Sequence, residues 1–263
     1  MKIPFTKKTM FFTLMALTLA QFACNFGRPQ PSTTTPESPV TSSLATQPAL
    51  SSNAGNCQND YLPVKVGATW TSNGKISSES FTRVSTITSV GKDNFQSQTV
   101  LTDSLGKQIS TIESWNCTTG GLVQLGGPLA SPIQSTFGSD SMKTISTTGI
   151  TLPAHINPGD SWSQQTQLEF TIPNLSITGT LNYNFQALGL EQVTVPAGTF
   201  NAMKVQVNAK SESVKSGLPI AITADGFYWF APGVGRVKGS EKISANGSLV
   251  SDVEGELQSY SIP

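Results

Sequence analysis

The chain has 263 residues, with 16 lysines and arginines against 16 aspartates and glutamates, and a single histidine. Balanced charge, with no basic run beyond the N-terminus, argues against nucleic-acid binding, which needs a concentrated positive face. One histidine also excludes a three-histidine zinc site or a His-Glu-x-x-His metalloprotease motif within the chain.

Lys2, Lys7 and Lys8 precede an apolar stretch from Met10 to Ala20, and Ala23-Cys24 follows it. A charged start, a short apolar middle and a small residue before the cut make an export signal. The apolar run is about half of the ~20 residues a spanning helix requires, so it reads as a leader and not as a transmembrane anchor. A cysteine directly after the cut marks residues 1–23 as a lipoprotein signal peptide, with the Cys24 thiol acylated and holding the protein to an extracytoplasmic membrane face. Gln21 and Phe22 are atypical for such a signal. An ordinary secretory leader, releasing a secreted protein, is the competing reading.

Residues 24–56 form the next segment, rich in Pro, Ser and Thr, as in Pro-Gln-Pro-Ser-Thr-Thr-Thr-Pro over 29–36. So little apolar surface cannot offset the entropy of ordering, and the segment is expected to be a disordered tether. Residues 57–263 are expected to be one β domain. With Cys24 acylated, Cys57 and Cys117 remain as a pair that an oxidising compartment would join. Two distant cysteines and one histidine make a poor zinc set, because structural zinc wants four ligands.

Leu62-Pro63 leads through Gly67 to Trp70, and Asn73-Gly74 then reads as a tight hairpin turn. A fainter copy follows, in which Leu152-Pro153 leads through Gly159 to Trp162. An ancient duplication and a coincidence of turn chemistry are both open readings of this echo. Leu175, Ile177, Leu181, Tyr183, Phe185 and Ala187 alternate with polar residues, the period of a strand, and Gly179 suggests a bulge or a sharp bend within it. Met203, Val205 and Val207 alternate in the same way. Pro196-Ala197-Gly198, Pro232-Gly233-Val234-Gly235 and Asn246-Gly247 read as connections between strands. No segment of 57–263 carries a capped helical period. The fold class is therefore all-β and antiparallel.

Three segments resemble a broad group of uncharacterised bacterial secreted proteins and lipoproteins. They are Tyr61-Leu62-Pro63 with Gly67-Ala68-Thr69-Trp70, Val193-Thr194-Val195-Pro196-Ala197-Gly198-Thr199-Phe200, and Trp229-Phe230-Ala231-Pro232-Gly233-Val234-Gly235. The resemblance implies a single, strongly curved antiparallel sheet or partly open barrel, and it carries no activity or site residues to transfer.

Chemistry is sparse. His155 with Asp160 lacks a Gly-x-Ser-x-Gly elbow to present an activated serine. Asp160 with Glu169, or Glu79 with Glu113, would make a glycosidase pair only if about 5–10 Å apart in a cleft. No catalytic set, metal site or cofactor is expected, and the protein reads as a non-enzyme. Trp70, Trp162, Tyr183, Phe185 and Trp229 are the candidate lining of an apolar groove for a hydrophobic or amphipathic ligand or an envelope component. The alternative is a structural or adhesive envelope module that binds a protein or glycan through its polar outer face.

Overall fold

In the computed structural model, residues 57–128, 142–172, 175–214 and 221–263 are described. The leader, Cys24 and the tether expected over 24–56 lie outside the described residues. Among the described residues, thirteen strands follow one another: β1 Thr69–Ile76, β2 Glu79–Val90, β3 Asn94–Asp103, β4 Gln108–Thr118, β5 Gly121–Gln124, β6 Met142–Gly149, β7 Leu152–Pro153, β8 Ser161–Ile172, β9 Leu175–Val195, β10 Gly198–Val214, β11 Ile222–Ala231, β12 Gly235–Ala245 and β13 Ser248–Ser261. They form one antiparallel sheet in the order β6-β8-β9-β10-β11-β12-β13-β1-β2-β3-β4-β5-β7.

The sheet curls on itself without closing. Ile87 and Phe95 of β2 and β3 share one buried cluster with Leu168, Tyr183 and Met203 of β8, β9 and β10, although many strands separate them in the ladder. One stretch of chain touches both ends of the sheet: β6 pairs with β8, and its continuation β7 pairs with β5. A ring of buried side chains stitches that junction. The Gln124 amide donates to Thr151 Oγ1 at 2.7 Å, Thr151 donates to Gln164 Oε1 at 2.8 Å, and Gln164 Nε2 returns to the Gln124 carbonyl at 2.7 Å. A disulfide joins Cys57 to Cys117 across 60 residues, with Cα atoms 4.8 Å apart. It fastens the start of the described chain to β4.

The Leu-Pro…Gly…Trp echo has a structural counterpart. Gly67 and Gly159 both take left-handed backbone, φ 85° and 91°. The Gly67 amide donates to the Ile87 carbonyl and Gly159 to Ala187, at 2.9 and 2.8 Å. Ala68 donates to Lys65 and Asp160 to Asn157, both at 3.1 Å. The Ile87 and Ala187 amides return to Ala68 and Asp160, both at 2.9 Å. Trp70 then stands opposite Ser85, and Trp162 opposite Phe185.

The match runs on through the next strands. Each second strand bulges immediately after this contact, leaving Thr88 unpaired in β2 and Leu188 in β9. Beyond it, Ile87 faces Ser97 and Ala187 faces Val205. Ser97 in turn faces Glu113, and Val205 faces Tyr228. Strands β1–β4 and β8–β11 are thus two copies of one four-stranded unit, the first and second repeats.

The Val195-Pro196-Ala197-Gly198 connection is the tip of the β9–β10 hairpin. It reaches across the sheet, and the Ala197 amide donates to Leu257 of β13 at 3.1 Å. Val193, Val195 and Phe200 pack there with Trp229, Val237 and Leu257 in a second cluster. Successive residues of a strand point to opposite faces, so Tyr228 and Phe230 join the first cluster while Phe227 and Trp229 join the second.

Two turn expectations are corrected. Asn73-Gly74 lies inside β1, and the β1–β2 turn is at Ser77-Ser78, with Ser77 at φ 57°. Gly179 stays in continuous register opposite Leu168, and the bulge of β9 comes at Leu188. Asn246-Gly247 does make the β12–β13 turn, with φ 50° and 79°.

Candidate functional site

The two repeats, which share the bulge, differ at the inward positions. The second repeat places Tyr183 and Phe185 on β9, Val205 and Val207 on β10, and Gly226 and Tyr228 on β11. The first repeat places Arg83 and Ser85, Ser97 and Thr99, and Thr111 and Glu113 at the equivalent places. At these positions the second repeat is apolar and the first is built from hydroxyls and charges, while Ile87 and Phe95 of the first stay in the buried apolar cluster.

The polar half is organised around Glu113. Its carboxylate accepts from Ser97 Oγ at 3.2 Å, and Thr99 Oγ1 lies 3.5 Å away. The Ser85 and Thr99 hydroxyls bond each other at 2.9 Å, and Trp115 Nε1 donates to Ser97 Oγ at 3.3 Å. The Arg83 guanidinium lies 3.6 Å from Glu113 Oε1, an ion pair longer than a hydrogen bond. The Arg83 side chain keeps 29% of its surface exposed, against 10% for Glu113.

Across the curl, Tyr228 donates its hydroxyl to Glu241 Oε1 at 2.6 Å. Burial, followed by the neighbouring Glu241 carboxylate, pushes the Tyr228 hydroxyl well above the usual tyrosine range. Arg236, exposed, lays its guanidinium over the Tyr228 ring at 4.9 Å from the centroid. Two glycines make room for this arrangement. A Cβ on Gly226 would stand 2.8 Å from Glu241 Cγ, and one on Gly239 would stand 3.3 Å from the Tyr228 ring and 3.7 Å from Arg236 Cδ.

On the opposite face of the same strands lies an open groove of about 650 Å3. Gly239, Gly255 and Gly74 stand side by side on β12, β13 and β1 and form its floor. Lys238, Glu256 and Asn73 wall one side, and Ser240, Glu254 and Lys75 the other.

The aromatics expected to line an apolar groove are divided between the two clusters. Trp162 stacks on Phe185 at 5.4 Å, and Phe185 on Tyr183 at 6.3 Å, with Tyr183 and Phe185 both buried. Trp162, partly exposed, donates Nε1 to the Thr151 carbonyl at 3.2 Å. Trp70 is half-buried between the two clusters and donates Nε1 to the Val234 carbonyl at 2.5 Å. Trp229 is buried on the far face, donating to Glu191, with Lys204 and Lys238 at 5.1 and 5.9 Å from its ring. The structure stacks Trp162, Phe185 and Tyr183 in a row, packs Trp70 against both their cluster and that of Trp229, and places Trp229 on the far face.

The imagined catalytic pairs do not meet. Glu79 opens β2, whereas Glu113 sits beside Ser97, which faces Ile87; eight residues of strand put them about 27 Å apart. Asp160 closes the turn before β8, and Glu169 lies nine residues along that strand, about 30 Å away. His155 pairs with Asp60, Nδ1 to Oδ2 2.5 Å, and Asp160 Oδ2 instead accepts from the Asn157 amide at 2.7 Å.

A family profile described as DUF3108-like matches residues 65–254. Two solved structures share the fold. A candidate lipoprotein from Parabacteroides distasonis superposes with a TM-score of 0.53 at 16% identity, covering 78% of this chain and 99% of its own. A candidate exported protein with a YmcC-like fold from Bacteroides fragilis gives 0.50 at 16% identity, covering 78% and 100%. No curated protein matches the chain.

Proposed function

The chain belongs to the DUF3108-like family, and from that premise we propose that it is a lipid-anchored, non-enzymatic module of the bacterial envelope that recognises a polar ligand on the inward face of its first repeat. The export signal ahead of Cys24 and the Cys57–Cys117 bond support the extracytoplasmic placement. One observation carries the recognition surface. The second repeat satisfies this fold with Tyr183, Phe185, Val205 and Val207, so Arg83, Ser85, Ser97 and Thr99 answer to something other than folding. Ser97 and Thr99, both buried, are held in one hydrogen-bonded network with the half-buried Ser85 and Glu113, a rigid polar layer beneath the part-exposed Arg83.

Anchoring is tested by palmitate labelling and fractionation of cells expressing the wild type and Cys24→Ala. Label and membrane residence should both be lost in the variant, and an unlabelled, soluble wild type would overturn the anchor. The recognition surface is tested by native mass spectrometry of the protein released from membranes in mild detergent. An adduct should be present on the wild type and absent from the Ser97→Val/Thr99→Val variant, which carries the second repeat's own residues. The same adduct on both proteins, or none on the wild type, would overturn the assignment. A second reading, recognition of a glycan or protein through the opposite face, is favoured by the glycine-floored groove. It predicts an adduct lost instead on Lys75→Ala/Asn73→Ala.

A further inference from the structure

Residues directly opposite each other on neighbouring strands share a face, so the pairings trace rows of side chains across the sheet. One such row passes through Phe227 of β11. In one direction it runs through Ser240, Glu254 and Lys75 to Ser80 on β2. In the other it runs through Gln206 and Gln186 to Ser161 on β8. From β8 to β2 it covers about 34 Å at the usual strand spacing. One end lies in the glycine-floored groove, and the other in a second open cavity of about 400 Å3 that Gln186 and Ser161 help to line. Every member is exposed or half-buried. The adjoining row, two residues along each strand, is made of groups engaged with protein. Lys238 donates to Glu256 at 2.8 Å, Thr82 to Asn73 at 3.0 Å, and Lys204 pairs with Glu191 at 3.7 Å. In the Phe227 row no polar side chain has such a partner among the described residues, although Lys75 and Glu254 stand directly opposite each other.

We propose that this row binds an uncharged, linear oligosaccharide, which lies across the strands from the glycine-floored groove over Phe227 towards β8. This deepens the second reading above and rests on it. The one cation and the one anion of the row balance, so it offers a polyanion no net attraction. It offers a lipid tail a single ring. An extended peptide would seek unpaired backbone, whereas the backbone beneath the row is bound in the strand ladders on both sides. A sugar chain finds what it needs. Its hydroxyls both donate and accept, and they meet unpaired amides, hydroxyls, a carboxylate and an ammonium. The C–H face of a sugar ring packs on an aromatic one, and Phe227 is held in place for it by Lys204 and Trp229, 5.0 and 6.2 Å from its centroid.

The test is a titration of the 15N-labelled full chain, in mild detergent, with cellotetraose, chitotetraose and maltotetraose. The backbone amides of Ser240, Phe227 and Gln186 should shift and saturate with at least one of them, while those of Gly67 and Cys117, away from the row, stay unmoved. That tetraose should bind about tenfold more tightly than the biose of the same sugar, because each added ring brings further hydrogen bonds. Glu254→Ala and Gln186→Ala, both at exposed positions, should each weaken it by about fivefold. Salt at about 0.5 M should leave the affinity unchanged, since an uncharged ligand has nothing to screen. A response to dextran sulfate alone, or equal binding of biose and tetraose, overturns the proposal. So does binding that survives either variant undiminished. Silence with all three tetraoses overturns the oligosaccharide too, and a native-mass adduct still lost on Lys75→Ala/Asn73→Ala would then leave the groove standing, with a protein as its partner.

Discussion

In the second repeat, Trp162 lies on Phe185, Phe185 on Tyr183, and Val205 and Val207 close the layer beneath them. At the equivalent places of the first repeat, Trp70 stands opposite Ser85, and a network of hydroxyls leads from Ser85 through Thr99 to Glu113. The backbone is the same in both: a left-handed glycine, a tryptophan two residues into contact, and one bulged residue on the next strand. The difference separates what the fold needs from what the protein adds to it. A curved sheet of this kind needs one well-packed side, and the second repeat supplies it. The first repeat, clamped by the disulfide at the end of β4, carries a buried polar layer that hydrophobic burial alone would not select.

The largest expected effect lies in that contrast. Phe185→Ala removes a ring stacked on both sides and should lower the unfolding free energy by about 3–5 kcal/mol. Ser85→Ala, at the equivalent place, loses one hydroxyl contact and should cost about 1 kcal/mol or less. Denaturant unfolding of the two variants gives the ratio directly. Comparable losses would mean that the polar half is structural after all.

A smaller effect tests the duplication itself. Gly67 and Gly159 hold the same left-handed turn, where an L side chain costs about 1–2 kcal/mol. The space around them is permissive: a Cβ at Gly67 meets Pro263 at 3.5 Å, and one at Gly159 meets nothing within 4 Å. Gly67→Ala and Gly159→Ala should therefore cost similar amounts from backbone strain alone. A neutral substitution at either position would break the equivalence of the turns.

Much of this was legible in the chain, though unevenly. Period-two alternation over Leu181–Ala187 and Met203–Val207 fixed the strands and their inward sides, because burial on one face is what makes that pattern. Asn246-Gly247 was readable as a turn since both residues accept positive φ. Asn73-Gly74 misled because Gly74 serves another purpose. It stands beside Gly255 in the row of glycines, where a Cβ would meet the Phe81 ring at 2.7 Å. The bulges at Thr88 and Leu188 left no sequence signal, since neither residue type marks one. The echo of Gly67 and Trp70 in Gly159 and Trp162 was visible, but its meaning lay in the pairings, which no single sequence displays. Arg83 did leave a trace. It falls between Phe81 and Ser85 on the parity that leads to buried Ile87, a charge where alternation asks for an apolar residue. That its partner is Glu113, two strands away, follows only from the pairing of β2 with β3 and β3 with β4.

The smallest effect appears at alkaline pH and concerns the position equivalent to Glu113. Tyr228 is buried, bonded to Glu241 and faced by Arg236 and Tyr183, and its hydroxyl titrates well above 10.0 in the folded protein. Burial and Glu241 both favour the neutral hydroxyl, and together they outweigh the opposing pull of Arg236. The unfolded chain releases this proton near the ordinary value of about 10. The folded state therefore binds the proton more tightly, and the stability this confers is complete below about pH 10 and lost as pH rises towards the folded value. Unfolding midpoints measured from about pH 8 to about pH 11 should decline for the wild type and decline less for Tyr228→Phe. Some decline should remain in the variant, because burial and the nearby Asp60 and Asp160 also raise Tyr61. Parallel curves for the two proteins would show that the Tyr228 hydroxyl is as accessible in the folded chain as in the unfolded one. The partition of this interior into a packed half and a polar half would then need redrawing at Tyr228.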